Sequence, residues 1–98
     1  MYVVVLHEIK NPENAFSRGQ RLMVGDGAPA GVRVLQFYPS TDAASVTCLW
    51  ESPSVDAVQG YVDATLGDSS VNRCYEVEAA KAFAERPLGI QPAPALAS

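Results

Sequence analysis

Apolar residues in this chain come in short runs and periodic stripes, punctuated by Pro, Gly, Asn and Ser, and the pattern defines six elements. Tyr2-Val-Val-Val-Leu6 opens a strand over residues 2–10, because a β-branched and aromatic run of this length is too short for a helix. Asn11-Pro12-Glu13 marks a helix start. Asn is the cap, Pro takes the first helical position, and the acid lies near the positive end of the helix dipole. Phe16, Gln20 and Met23 share one face of that helix, widened by Leu22 and Val24. Gly19 weakens it by roughly 1 kcal/mol relative to Ala, a cost that close approach to a sheet offsets.

Glycines 25, 27 and 31 end the helix and form a loop to a second strand, Val32 to Tyr38. Pro39-Ser-Thr-Asp42 is a turn and Ser45 to Glu51 a third strand, so the second and third strands form a hairpin. Ser52 caps a second helix with Pro53 in its first turn, and Ser54 is the alternative cap. Val55, Val58, Tyr61, Val62 and Leu66 recur at helical spacing, Gly67-Asp68 closes the helix, and Val71 to Glu78 is the fourth strand. The order β-α-β-β-α-β predicts an α+β, ferredoxin-like fold with a four-stranded antiparallel sheet over residues 1–86. Ala79 to Glu85 permits a short helix. Pro87, Pro92 and Pro94 make residues 87–98 an extended Pro/Ala-rich tail.

Strand faces add a partner. A sheet with helices on one side and water on the other alternates apolar with polar. Val3, Val4, Val5 and Leu6 are apolar on both faces, and Val34, Leu35, Phe37 and Tyr38 behave similarly. The face away from the helices is therefore expected to be covered by a second copy of the sheet, in a homodimer.

Composition narrows the function classes. At 98 residues there is room for one domain, and 48% hydrophobic content excludes disorder. No apolar run approaches the roughly 20 residues that span a bilayer. Met1 to Leu6 lacks a basic leader and a small-residue cleavage site, so a cytoplasmic protein without a membrane partner is expected. A net charge of −4 argues against nucleic acid, whose phosphates need a basic surface. One histidine and two well-separated cysteines make a poor metal site, and neither a phosphate-binding loop nor a nucleophile elbow is present, so no cofactor is implied. In the usual strand order Cys48 and Cys74 are two strand spacings apart, roughly 9.6 Å, beyond the reach of a disulfide, and both thiols are expected to be free.

Several segments carry a family likeness. Cys48-Leu49-Trp50-Glu51, then Ser54-Val55, Gly67 and Asn72-x-x-Tyr75, together with Ile9-Lys-Asn-Pro12, Phe16 and Pro87-Leu-Gly89, resemble small bacterial proteins of the dimeric α/β-barrel (ferredoxin-like) superfamily. The superfamily includes cofactor-independent monooxygenases, muconolactone isomerase-like proteins and stress-response dimers. The resemblance implies two subunits packing their sheets into a shared barrel, with any ligand cavity between a subunit's sheet and its helices. A neighbouring ferredoxin-like family is similar to nickel-binding proteins that use several histidines. This chain has only His7, so no metal ligand set carries over.

Six residues are candidates for a ligand site. His7 is the one side chain whose ordinary pKa lies near neutrality, and it falls late in a central strand. It serves either as a general base or ligand hydrogen-bonder, or as a neutral imidazole held by a backbone or carboxylate partner. Trp50 and Glu51 close the third strand beside a helix N-terminus, a common ligand position. Alternation puts Trp50 with Cys48 on one face and Glu51 with Leu49 on the other. Trp50 is then a pocket wall or core packing, and Glu51 a rim charge or an arginine partner. Asn72 and Tyr75 fall on opposite faces of the fourth strand, Asn72 within reach of the loop after Gly67. Tyr38 and Tyr75, like Tyr61, offer hydroxyls at the edge of apolar regions, in a pocket or at a dimer seam. The leading expectation is binding of a small apolar or aromatic molecule between sheet and helices. The alternatives are a non-catalytic interaction dimer with a filled core, and a cofactor-independent monooxygenase or isomerase using His7 as base.

Overall fold

Capping residues and glycines set the element boundaries in the computed structural model, which describes residues 1–85. Six main elements run in the order β1 (Tyr2–Ile9), α1 (Pro12–Val24), β2 (Arg33–Pro39), β3 (Ser45–Glu51), α2 (Val55–Leu66) and β4 (Ser70–Glu76), with a single 3-10 turn, Gly67–Ser69, before β4. The strands form one sheet in the order β2-β3-β1-β4, every neighbouring pair antiparallel. This is the α+β, ferredoxin-like βαββαβ arrangement expected from the sequence. The tail, 87–98, lies outside the described residues.

Asn11 caps α1 through its side-chain oxygen, which accepts the Asn14 N–H at 3.1 Å, and Pro12 follows at the first helical position. Gly25 ends the helix in the left-handed region at φ 76°, where its N–H reaches back to the carbonyls of the last turn. The cap of α2 is Ser54 rather than Ser52: its Oγ accepts the Ala57 N–H at 3.1 Å. Ser52 is buried, and its hydroxyl donates to the Ser54 carbonyl at 2.8 Å, so it shapes the approach to the helix and leaves Pro53 outside it.

Three further boundaries differ from expectation. Residues 79–85 do not form a helix; Ala79 to Lys81 is a turn, and Phe83 is 91% exposed. β4 ends at Glu76, two residues before the expected Glu78. The β2–β3 pairing shifts register between Val34 and Gln36. Val34 pairs with Trp50 and Phe37 with Cys48, so a step of three on β2 matches a step of two on β3. This bulge is why Val34 and Phe37 share a face despite odd spacing.

Val3, Val5 and His7 of β1, Val46, Cys48 and Trp50 of β3, and Val58, Tyr61, Val62 and Leu66 of α2 are buried between sheet and helices. Trp50 and Tyr61 meet edge to face, ring centroids 6.0 Å apart at 90°. The Tyr61 hydroxyl donates to the Asp26 carbonyl at 2.6 Å, tying α2 to the loop after α1. Val5 pairs with Cys48 on one side and Cys74 on the other, which separates the two thiols by two strands, and both are free.

Gly60, in the middle of α2, is exposed, and a Cβ there would meet nothing within 4 Å. Gly60→Ala should therefore raise unfolding free energy by about 0.5–1 kcal/mol through helix propensity alone. Urea denaturation of the two proteins measures this; a loss of stability would show that the glycine accommodates a contact.

Candidate functional site

The two helices meet the sheet unequally. α2 lies over β4 and β1, whereas the backbone of α1 approaches chiefly α2 and the turn after it. Arg18 of α1 makes that link, donating from Nη1 to the Leu66 carbonyl at 2.9 Å and to Asp68 Oδ1 at 3.1 Å. Beneath α1 a cleft of about 230 Å³ remains. Its floor includes His7 and Ile9 of β1 with Val46 and Cys48 of β3, and Phe37 of the edge strand stands at one side. Its roof is the α1 face carrying Ala15, Phe16, Gly19, Gln20 and Met23.

His7 enters the cleft from a hydrogen-bond chain whose donors and acceptors are fixed. Asp63 Oδ1 receives the Asn72 Nδ2–H at 2.9 Å, and a carboxylate can only accept. The Asn72 amide is thereby oriented, and its Oδ1 faces His7 Nδ1 at 2.7 Å and the Ser70 hydroxyl at 2.6 Å. An amide oxygen can only accept, so His7 carries its proton on Nδ1 and presents Nε2 as a lone pair. Among the described residues Nε2 has no hydrogen-bond partner. Gln59 braces the chain: its Nε2 donates to Asp63 Oδ2 at 3.0 Å and to the Asn72 carbonyl at 2.9 Å, while its Oε1 accepts the Cys74 N–H at 3.2 Å. One side chain thus satisfies two backbone groups on the outer edge of β4.

Burial lowers the His7 pKa below 6.5, outweighing the opposing influence of the Asn72 hydrogen bond and the Asp63 charge. Burial also pushes the Cys48 thiol up to about 12 and the Cys74 thiol to about 11, so neither supplies a thiolate nucleophile at neutral pH. The Trp50 indole N–H weakly opposes the Cys48 shift, yet it reaches no acceptor at hydrogen-bonding geometry among the described residues. No group of three or more His, Cys, Asp or Glu is placed to hold a metal among the described residues.

The six candidate residues divide between two faces. His7 lines the cleft, Asn72 holds it from β4, and Trp50, fully buried, packs in the core against Tyr61 instead of walling the cleft. Glu51, Tyr38 and Tyr75 occupy the opposite face of the sheet, as the pairing of Tyr38 with Thr47 and of Tyr75 with Val4 shows. They therefore cannot share a site with His7 inside one chain. Glu51 pairs there with Arg33 at 3.3 Å. Asp63 and Gln59 escaped the sequence reading. Their spacing of four on the polar border of α2 resembles any solvated helix face, and only the seating of α2 over β4 makes them part of the site. The cleft residues of α1 were visible as a stripe, but a stripe does not say whether its partner is filled.

In comparisons with known proteins, the chain matches no family model, no curated protein and no solved structure.

His7 makes stability depend on pH with a definite sign. Its folded pKa lies below the 6.5 of the unfolded chain. Its contribution is therefore fully present above that value and is lost as pH falls through it towards the folded pKa, at up to about 1.4 kcal/mol per pH unit. Urea unfolding between about pH 7.5 and 5.5 should show this slope in the wild type and not in His7→Gln. A slope unchanged by the substitution would place the proton elsewhere.

Proposed function

We propose that this protein binds a small apolar or aromatic molecule in the cleft between α1 and the sheet, as a homodimer formed through the open sheet face. One observation supports the ligand reading above all: a cleft of about 230 Å³ whose lining is apolar except for His7, Gln20 and the neutral Cys48 thiol. A cavity lined by apolar side chains is the usual form of a small-molecule site. It favours this reading over an interaction dimer with a filled core. A catalytic reading, with His7 as general base, draws on the same free Nε2 and requires a ligand there first. The two unpaired thiols suit a reducing compartment, in keeping with a cytoplasmic protein.

The dimer rests on the other face of the sheet. Gln36, Leu49, Val4 and Tyr75 form one row across it, with Tyr38, Thr47, Leu6 and Arg73 in the next. Arg33 and Glu51 lie at one end and Glu8 at the other. Tyr75 is 50% exposed and Tyr2 45%. Leu49, Val4, Leu6 and the two tyrosines give the face an apolar middle, with charges at its ends and Arg73 at the β4 edge, a layout that suits an interface core with its rim. Covering roughly 600 Å² of apolar area per subunit contributes about 15 kcal/mol gross at ~25 cal/mol/Å². Association costs on the order of 4–15 kcal/mol, and two preformed sheets need little reordering. A second copy is the fitting occupant because a twofold axis brings the same rows together.

Two measurements test these readings. Toluene and indole should raise the melting temperature and shift NMR resonances of Phe16, Met23 and Phe37, and Gly19→Leu, which places a side chain in the cleft, should suppress both effects. Absence of any shift in the wild type would leave the cleft without a ligand role. Sedimentation at micromolar concentration should give a dimer that Leu49→Glu converts to a folded monomer. A wild-type monomer would rule the dimer out.

A further inference from the structure

The chain Asp63–Asn72–His7 fixes which polar group the cleft can receive. Each link has one permitted direction: carboxylate accepts from amide N–H, and amide oxygen accepts from imidazole N–H. In the neutral ring Nε2 is consequently the acceptor, and a ligand must donate to it. Among the described residues no Lys or Arg lines the cleft to pair a carboxylate, and no Asp or Glu lines it to pair an ammonium. Either ion would be desolvated without compensation. Gln20 alone adds a neutral amide on α1. An apolar cavity of about 150 Å³ accommodates benzene, so a cleft of about 230 Å³ suits one aromatic ring with a short substituent.

We infer that the cleft selects phenol-type ligands, a single aromatic ring bearing a neutral hydroxyl whose O–H donates to His7 Nε2, with Asp63 and Asn72 as positioning residues that hold the neutral ring in its Nδ1–H tautomer. This rests on the small-molecule binding proposed for the same cleft. The lowered pKa of His7 works in the same direction, since the neutral ring persists at neutral pH. The ring stacks among Phe16, Met23 and Phe37, and the hydroxyl meets the one fixed polar atom of the floor.

The test is isothermal titration at about pH 7.5 with p-cresol, toluene, 4-methylanisole and p-toluate. A hydrogen bond in an apolar setting is worth up to about tenfold in affinity. The wild type should therefore bind p-cresol several-fold to tenfold tighter than toluene or 4-methylanisole, and p-toluate no better than toluene. His7→Phe should erase the p-cresol advantage while toluene still binds. Asp63 is exposed, and Asp63→Asn keeps the size of the side chain while allowing the Asn72 amide to turn. In that variant, nitrogen-15 NMR should show a mixture of His7 tautomers in place of Nδ1–H alone, and the p-cresol preference should fall. Equal affinity for toluene and p-cresol in the wild type would overturn the inference and leave apolar binding standing. Failure of all four compounds to bind would sink both.

Discussion

Both edges of β1 are hydrogen-bonded, to β3 on one side and to β4 on the other, and the rest of the structure depends on that double pairing. Pleating sends Val3, Val5 and His7 towards the helices and Val4, Leu6 and Glu8 away from them. Slippage by one residue would carry His7 to the open face and away from Asn72, and would set Leu6 and Glu8 against α1 and α2. The valines, apolar on either face, would tolerate such a slip. His7 and Glu8 would not, so the polar end of the strand holds the register that its apolar end leaves loose.

The two helices then divide the work. α2 brings Val58, Val62 and Leu66 into the core and lays Gln59 and Asp63 along the outer edge of β4, where an edge strand would otherwise present unpaired backbone groups. α1 instead leans on α2 and the Gly67 turn, held by Arg18, and leaves the cleft below it. Gly19 contributes directly: its missing side chain lies 3.7 Å, measured from where a Cβ would stand, from Leu66. Bulk at that position would occupy the roof of the cleft. Close packing of one helix and stand-off of the other follow from the same short chain.

The sequence showed the fold because its signals are local. Asn11-Pro12, the Ser52-Pro53-Ser54 cluster and the turn at Pro39 to Asp42 each act on their own backbone, and element order then leaves few topologies. It also separated Asn72 from Tyr75, since strand alternation alone decides that, and left an arginine partner for Glu51 as one of two readings. What it could not show depends on contacts distant in the chain. Whether Trp50 walls a cavity or fills the core depends on the seating of Tyr61, and the choice between Ser52 and Ser54 depends on which hydroxyl becomes buried. The β2 bulge is silent in a strand whose apolar residues do not alternate. The link from Asp63 to Asn72 to His7 spans three elements and had no spacing by which to be found.

The cleft has its polar floor and its apolar roof on different elements, and this separation matters for how such a protein diversifies. Ala15, Phe16, Gly19, Gln20 and Met23 all lie on α1, while the hydrogen-bond chain runs through β1, β4 and α2. Substitutions along one helix face can reshape the space without disturbing the imidazole or its supports. The space above the floor can thereby be varied from α1 alone while the hydrogen bonding of the floor stays constant.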